Sequence, residues 1–408
     1  MASFIFSLLS PFFLIIIIFF IYKSFNQPER HPRIPSGHTG LPWIGETISF
    51  YRAQRKNQLF ENFFQPRIKK HGKIFKTKLM GSPTVVVNGV TANKFFMSNE
   101  FRLVISSWPT SSVELMGKNC IMQKQGDSHR CLRGIIASTL GPTGLQAMVP
   151  RIAKKARAKI QKVLVEEVRK KKEAMEDERD EEEEEEEDDD GMLLSNLVAA
   201  LIRGEITEDE VVDNIVLLVF AAHDTTSYAI TMTFKMLANH PDCYTLLLKE
   251  HEDIAITKRP GEDLTLEDVK NMEYTWQVAR ETMRLCPPIF GSYRKAIMDI
   301  EFEGFIIPKG WKVLWTAYGT HYDEEYFPDP MTFNPTRFAD PVQAYAYIAF
   351  GGGPRLCAGY QLAKLNILVF IHYVVTRYNW SLLYADEPIV MDPLPFPSKG
   401  MPIKISPK

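Results

Sequence analysis

The run from Thr207 to His240, TEDEVVDNIVLLVFAAHDTTSYAITMTFKMLANH, constrains the fold more than any other stretch of the chain. It opens on Thr207 with Glu210 three residues on, the pattern that caps a helix start from both sides. Beyond the cap its period is helical, yet it is too apolar all round to lie on a surface, so it is expected to cross a protein interior. Burying such a helix requires a large body around it, and 408 residues can supply one.

The rest of the chain describes that body. KIFKTKLMGSPTVVVNG reads as two strands joined at Gly81-Ser82-Pro83, and IEFEGFIIPKGWKVLW as a second pair punctuated by Gly304 and Pro308-Lys309-Gly310. Residues 154–172 form an amphipathic pattern with Ile160, Val163, Leu164 and Val168 on one side. There are no internal repeats. The expected class is mainly α with a minor β sheet, in one catalytic domain over residues 46–408. Five cysteines, odd in number and without a C-x-x-C pair, argue against a disulfide framework or a zinc site.

Two flanking features concern location. Ser3 to Tyr22 is twenty residues without a charge, enough at about 1.5 Å per residue to span a hydrocarbon core of roughly 30 Å. Basic residues follow it at Lys23, Arg30 and Arg33, which predicts a single signal-anchor with the body in the cytosol. A proline-rich connector, residues 23–45, then sets the body off from the membrane. The run Glu176–Asp190 holds fourteen acids and one arginine and reads as a disordered linker. With its own −13 set aside, the chain's net −2 becomes +11, which favours an anionic membrane surface or an acidic protein partner. The basic residues are spread without a nucleic-acid-binding pattern, so no nucleic acid is expected.

The chemistry-bearing stretch is FGGGPRLCAG, ahead of the apolar helix pattern YQLAKLNILVFIHYVV. A thiolate ligates metal where a thiol does not, and the anion must be held at neutral pH. Glycine lets backbone N–H groups approach the Cys357 sulfur, and the following helix places its positive end there. Phe350, Gly353, Arg355, Cys357 and Gly359 match, at every defined position, the haem-binding signature of the cytochrome P450 monooxygenases, and the chain resembles that family. GLPWIGET, AAHDTTS and FGGGPRLCAG resemble in particular the plant microsomal group that oxidises terpenoids, sterols and related hormones.

The resemblance implies the cytochrome P450 fold behind one transmembrane helix at the endoplasmic reticulum, with haem b whose iron is bound by Cys357. It implies O2 and NADPH as co-substrates, NADPH–cytochrome P450 reductase (a diflavin reductase) as partner, and an apolar small-molecule substrate. Asp224 and Thr225 take the proton-relay places of its A-G-x-D-T-T segment, with Ala222 where glycine is usual. Glu281 and Arg284 form its E-x-x-R pair, on one helix face by spacing, and Arg337 completes that network. Arg133, Arg294 and Arg355 take propionate-anchoring places, with His129 where tryptophan is usual beside Arg133. Between Arg133 and Thr225 the chain is several dozen residues shorter than the family pattern, where substrate-roof helices are expected. Two alternatives follow: a catalytically impaired membrane-bound haem protein, or a relative that rearranges peroxides without a reductase.

Overall fold

A computed structural model describes residues 15, 18, 19, 33–140, 193–259, 262, 264–391 and 394–408. The amphipathic stretch 154–172 and the acidic run lie outside these residues. Of the apolar stretch 3–22, Ile15, Ile18 and Phe19 are described, helical and exposed.

Helices dominate. In chain order they are α1 (Thr47–Arg55), α2 (Gln65–His71), α3 (Val90–Ser98), α4 (Thr110–Met116), α5 (Gly126–Leu140) and α6 (Leu193–Ile202). Then come α7 (Glu208–Asn239), α8 (Pro241–Ile256), α9 (Leu266–Lys270), α10 (Glu273–Leu285), α11 (Tyr318–His321) and α12 (Tyr360–Arg377). One mixed sheet accompanies them, from β1 (Ile74–Leu79), β2 (Ser82–Val87), β3 (Val104–Ser106), β4 (Gly291–Ala296) and β7 (Lys312–Thr316), in the order β1-β2-β7-β4-β3. Two short strands, β5 (Ile300–Phe302) and β6 (Phe305–Ile307), form a separate hairpin.

The first turn is tighter than expected. β1 and β2 join at Met80-Gly81, and Ser82 and Pro83 belong to the strand, Pro83 opposite Lys78. Proline is tolerated there because β2 pairs with β7 only from Thr84 onward, so Pro83 lies before the strand becomes two-sided.

α7 is capped as its sequence predicts: Thr207 Oγ1 accepts the Glu210 N–H while Glu210 Oε2 accepts the Thr207 N–H. Both ends of the helix are interior, through Val211, Ile215 and Leu217 in the first half and Met232, Phe234 and Leu237 in the second. Its centre is open, with Val219 and Phe220 both more than 40% exposed (45% and 43%). The C-terminal half packs with α8, α10 and α12 around Leu247, Trp276, Val278, Leu368 and Ile371, each burial of a Leu or Ile contributing about 1.5–3 kcal/mol. The N-terminal half packs with α5 and α6, and that cluster also touches Ala358, the residue after Cys357. The long helix therefore runs beside the cysteine loop.

Candidate active site

The loop that carries Cys357 is built by close approach. Gly351 and Gly353 both have positive φ, +73° and +64°, and a Cβ on Gly353 would collide with the Met97 carbonyl of α3. Glycine there is a requirement of both backbone shape and packing. The loop closes on itself when the Cys357 N–H donates to the Phe350 carbonyl at 3.0 Å and the Leu356 N–H to the Gly353 carbonyl at 3.0 Å. Gly359 caps α12, and its N–H points at the Cys357 sulfur.

The sulfur is reachable by solvent, yet protein surrounds it closely enough that burial pushes the thiol up, against the Gly359 N–H and the Arg133 charge that pull it down. Holding the thiolate is then work for a bound cation, which displaces the proton as it binds.

Three arginines stand near this loop in unlike states. Arg133, half-buried on α5, has no hydrogen bond or ion pair among the described residues, and it lies close enough to Cys357 for its charge to favour the thiolate. Burial lowers its pKa. Arg294, on β4, lies 2.6 Å from Glu100, while its Nη1 donates to Ser292 Oγ at 2.9 Å. Arg355 is engaged throughout: Nε on Glu100 Oε1 at 2.6 Å, Nη1 on the Ile121 and Met122 carbonyls, and Nη2 on that of Lys124 at 2.8 Å. His129, buried on α5, is held neutral, its pKa lowered to about 4 by burial and by Arg355 and Arg133.

This donor set fits haem. One thiol beside a helix start suits the iron, and a half-buried guanidinium with no acid of its own among the described residues suits a propionate.

Behind the loop, Glu281 and Arg284 on α10 are completely buried and paired twice, Nε to Oε2 at 2.7 Å and Nη2 to Oε1 at 2.8 Å. Arg337 Nε reaches Glu281 Oε1 at 3.3 Å, its Nη2 holds the Asp329 carbonyl at 2.8 Å, and the Asn334 N–H adds a bond to Glu281 at 2.9 Å. The three expected members thus meet. His321, which sequence reasoning missed, joins them to the cysteine loop: its Nε2 accepts the Ile348 N–H at 3.0 Å, two residues before Phe350.

On α7, Thr225 Oγ1 donates to the Ala221 carbonyl one turn back at 2.6 Å. Asp224 Oδ1 meets His223 Nδ1 at 2.7 Å. Both sit in the open centre of the helix, next to Val219 and Phe220. Glu100 was also missed, since nothing in its local sequence points to two arginines 194 and 255 residues away.

Comparisons with known proteins place the chain in a family. The family model described as Cytochrome P450 matches residues 35–163 and 149–405, two pieces whose overlap falls in the shortened region. The taxane 13-alpha-hydroxylase of Taxus cuspidata is 33% identical over 456 residues, covering 93% of this chain and 94% of the relative. The beta-amyrin 28-monooxygenase of Kalopanax septemlobus is 32% identical over 480 residues, covering 100% and 99%. That alignment is longer than the 408-residue chain itself, so part of the relative has no counterpart here. Among solved structures, the retinoic-acid-bound cyanobacterial CYP120A1 superposes with a TM-score of 0.71 at 27% identity, covering 92% of this chain and 99% of that one.

Proposed function

The chain belongs to the cytochrome P450 family, and from that premise we propose a membrane-bound haem-thiolate monooxygenase that inserts one atom of O2 into a C–H bond of a terpenoid substrate. Electrons would come from NADPH through a diflavin reductase. The observation that carries the reading is Cys357 at the start of α12, with the Gly359 N–H on its sulfur and the charge of Arg133, which has no ion pair among the described residues, favouring the thiolate. Relatives named for taxane and beta-amyrin oxidation support a terpenoid substrate class.

Bound here, haem would supply the iron at which dioxygen is reductively split. The protein's own groups divide the remaining work. Cys357 would hold the iron as thiolate, and the Gly359 N–H would carry part of the charge on its sulfur. Arg133 and neutral His129 on α5, with Arg294 and Arg355 across the loop, would hold the propionates. Thr225, by donating backwards to Ala221, keeps its oxygen lone pairs free to accept a proton donor's hydrogen bond. Asp224, hydrogen-bonded to His223, and Thr225 would be the groups that pass protons in the open middle of α7. Glu281, Arg284 and Arg337 fix the loop and take no part in chemistry. The apolar stretch 3–22 and the basic residues after it support an endoplasmic-reticulum anchor with the body in the cytosol.

The test is the carbon monoxide difference spectrum of the reduced protein, expressed full-length in a eukaryotic membrane. A red-shifted Soret band, followed by NADPH- and reductase-dependent hydroxylation in a terpenoid panel, is the expected outcome. Absence of the band would sink the reading.

A second reading, haem bound without turnover, is favoured by the missing central residues and the exposed centre of α7. It would be identified by a normal band with no oxidised terpenoid under the same conditions.

A further inference from the structure

One acid faces two of the arginines at once. Glu100 follows α3 in the turn that leads to β3, and its side chain is 1% exposed. Its Oε1 accepts the Ser106 N–H at 3.0 Å and Arg355 Nε at 2.6 Å. Its Oε2 lies 2.6 Å from Arg294 Nε, as an ion pair whose alignment falls short of a hydrogen bond. Ser106 and Arg294 are themselves opposite one another across the β3–β4 pair. The carboxylate therefore ties the cysteine loop to the edge of the main sheet.

The arrangement has an electrostatic logic. Arg294 is almost wholly enclosed, so water cannot relieve its repulsion of Arg355; an acid between them can. Arg355 spends its other nitrogens on the 121–124 carbonyls and staples the loop in place. We propose that Glu100 is a positioning residue that sets the spacing and net charge of the arginine cluster at the haem edge. Through that cluster it governs both the retention of haem and the iron's reduction potential. The proposal rests on the haem-thiolate reading.

Removing the acid's charge leaves Arg294 and Arg355 facing each other without the carboxylate between them. The added positive charge favours the iron state that has taken up an electron, so the potential rises. Repulsion also splays Arg294 and Arg355, and haem leaves faster.

The experiment is a charge cycle on full-length holoprotein, read by haem transfer to an apomyoglobin acceptor and by spectroelectrochemistry. Glu100→Gln should speed haem release by about tenfold or more and shift the potential positive. Arg294→Gln should shift it negative, and Glu100→Gln/Arg294→Gln should return it toward wild type. If Glu100→Gln alone does not fold, the step from Arg294→Gln to the double variant still reads the acid's effect. A purely structural acid would lower the melting temperature while leaving the potential unmoved across the cycle, and that result overturns the proposal. Wild-type protein lacking the thiolate Soret band would instead defeat the proposed function, which keeps the two failures apart.

Discussion

His321 and Arg284 hold each other in both directions. Arg284 Nη1 donates to the His321 carbonyl at 2.6 Å, and His321 Nδ1 donates to the Arg284 carbonyl at 3.1 Å. The second ring nitrogen accepts the Ile348 N–H, so the imidazole uses its single donor and single acceptor and must be neutral with hydrogen on Nδ1. A second proton would set two N–H groups against each other at Nε2.

That bond pattern makes the fold sensitive to acid. His321 and His251 have pKa values lowered to about 3, and His129 and His372 to about 4, burial being the first cause for each. Unfolding releases each to the ordinary value near 6.5, so the unfolded chain binds protons first as pH falls. Stability from these residues is complete above about pH 6.5 and is lost progressively toward pH 4 and below. Denaturant midpoints should fall steadily between about pH 7 and pH 5, and a flat profile there would contradict the neutral, buried assignment.

Glu281→Gln leaves Arg284 buried with a charge it cannot share. The cost is expected to be about 3–5 kcal/mol, against a typical total stability of roughly 5–15 kcal/mol. Haem-loaded protein should fall to a small fraction of the wild-type yield in membranes. Arg284→Lys should do nearly as badly, because an ammonium cannot reproduce the two-point pairing or reach His321 at the same time. Wild-type yields of either variant would remove this network from the folding of the loop.

Gly353→Ala and Gly400→Ala separate two kinds of glycine. Both positions have positive φ, +64° and +77°, so each alanine carries backbone strain of about 1 kcal/mol. Only at Gly353 does the new methyl also meet the Met97 carbonyl; at Gly400 there is open space. Haem content should drop sharply for Gly353→Ala and hold for Gly400→Ala. Equal losses would mean that strain alone, without the packing against α3, decides the loop.

Thr225→Ala should leave haem binding and the carbon monoxide band intact while product per NADPH consumed falls on the order of tenfold or more. The hydroxyl's bond to Ala221 is internal to the helix, so its loss costs α7 little. Unchanged coupling would take Thr225 out of the proton path.

Much of the site could be read before any coordinates, and the reason lies in distance along the chain. The Thr207 cap, the α10 spacing that puts Glu281 beside Arg284, and the glycines ahead of Cys357 are all set within one or two turns of backbone. Periodicity reports such local geometry directly. What escaped was long-range. The four acceptors that also engage Arg355, Glu100 and the carbonyls of Ile121, Met122 and Lys124, lie more than 200 residues upstream and leave no mark near Arg355 itself. β4 escaped as well, since GSYRKA lacks an alternating pattern and becomes a strand because β7 and β3 flank it. The open centre of α7 reflects tertiary arrangement, which no hydropathy pattern within the helix encodes.

The parallel pairing of β2 with β7 has a consequence in time. Val87 finds its partner in Trp315, 228 residues later on the ribosome's schedule. At about 5–20 residues per second, β2 waits roughly 10–45 s with an unpaired inner edge. β4, which brings Arg294, arrives in the same late interval, and Cys357 later still. The nascent chain therefore has no complete place for its prosthetic group until nearly all of it has been made. The exposed edge of β2 is therefore a hazard of synthesis itself, present before any place for haem exists and ended by the arrival of β7.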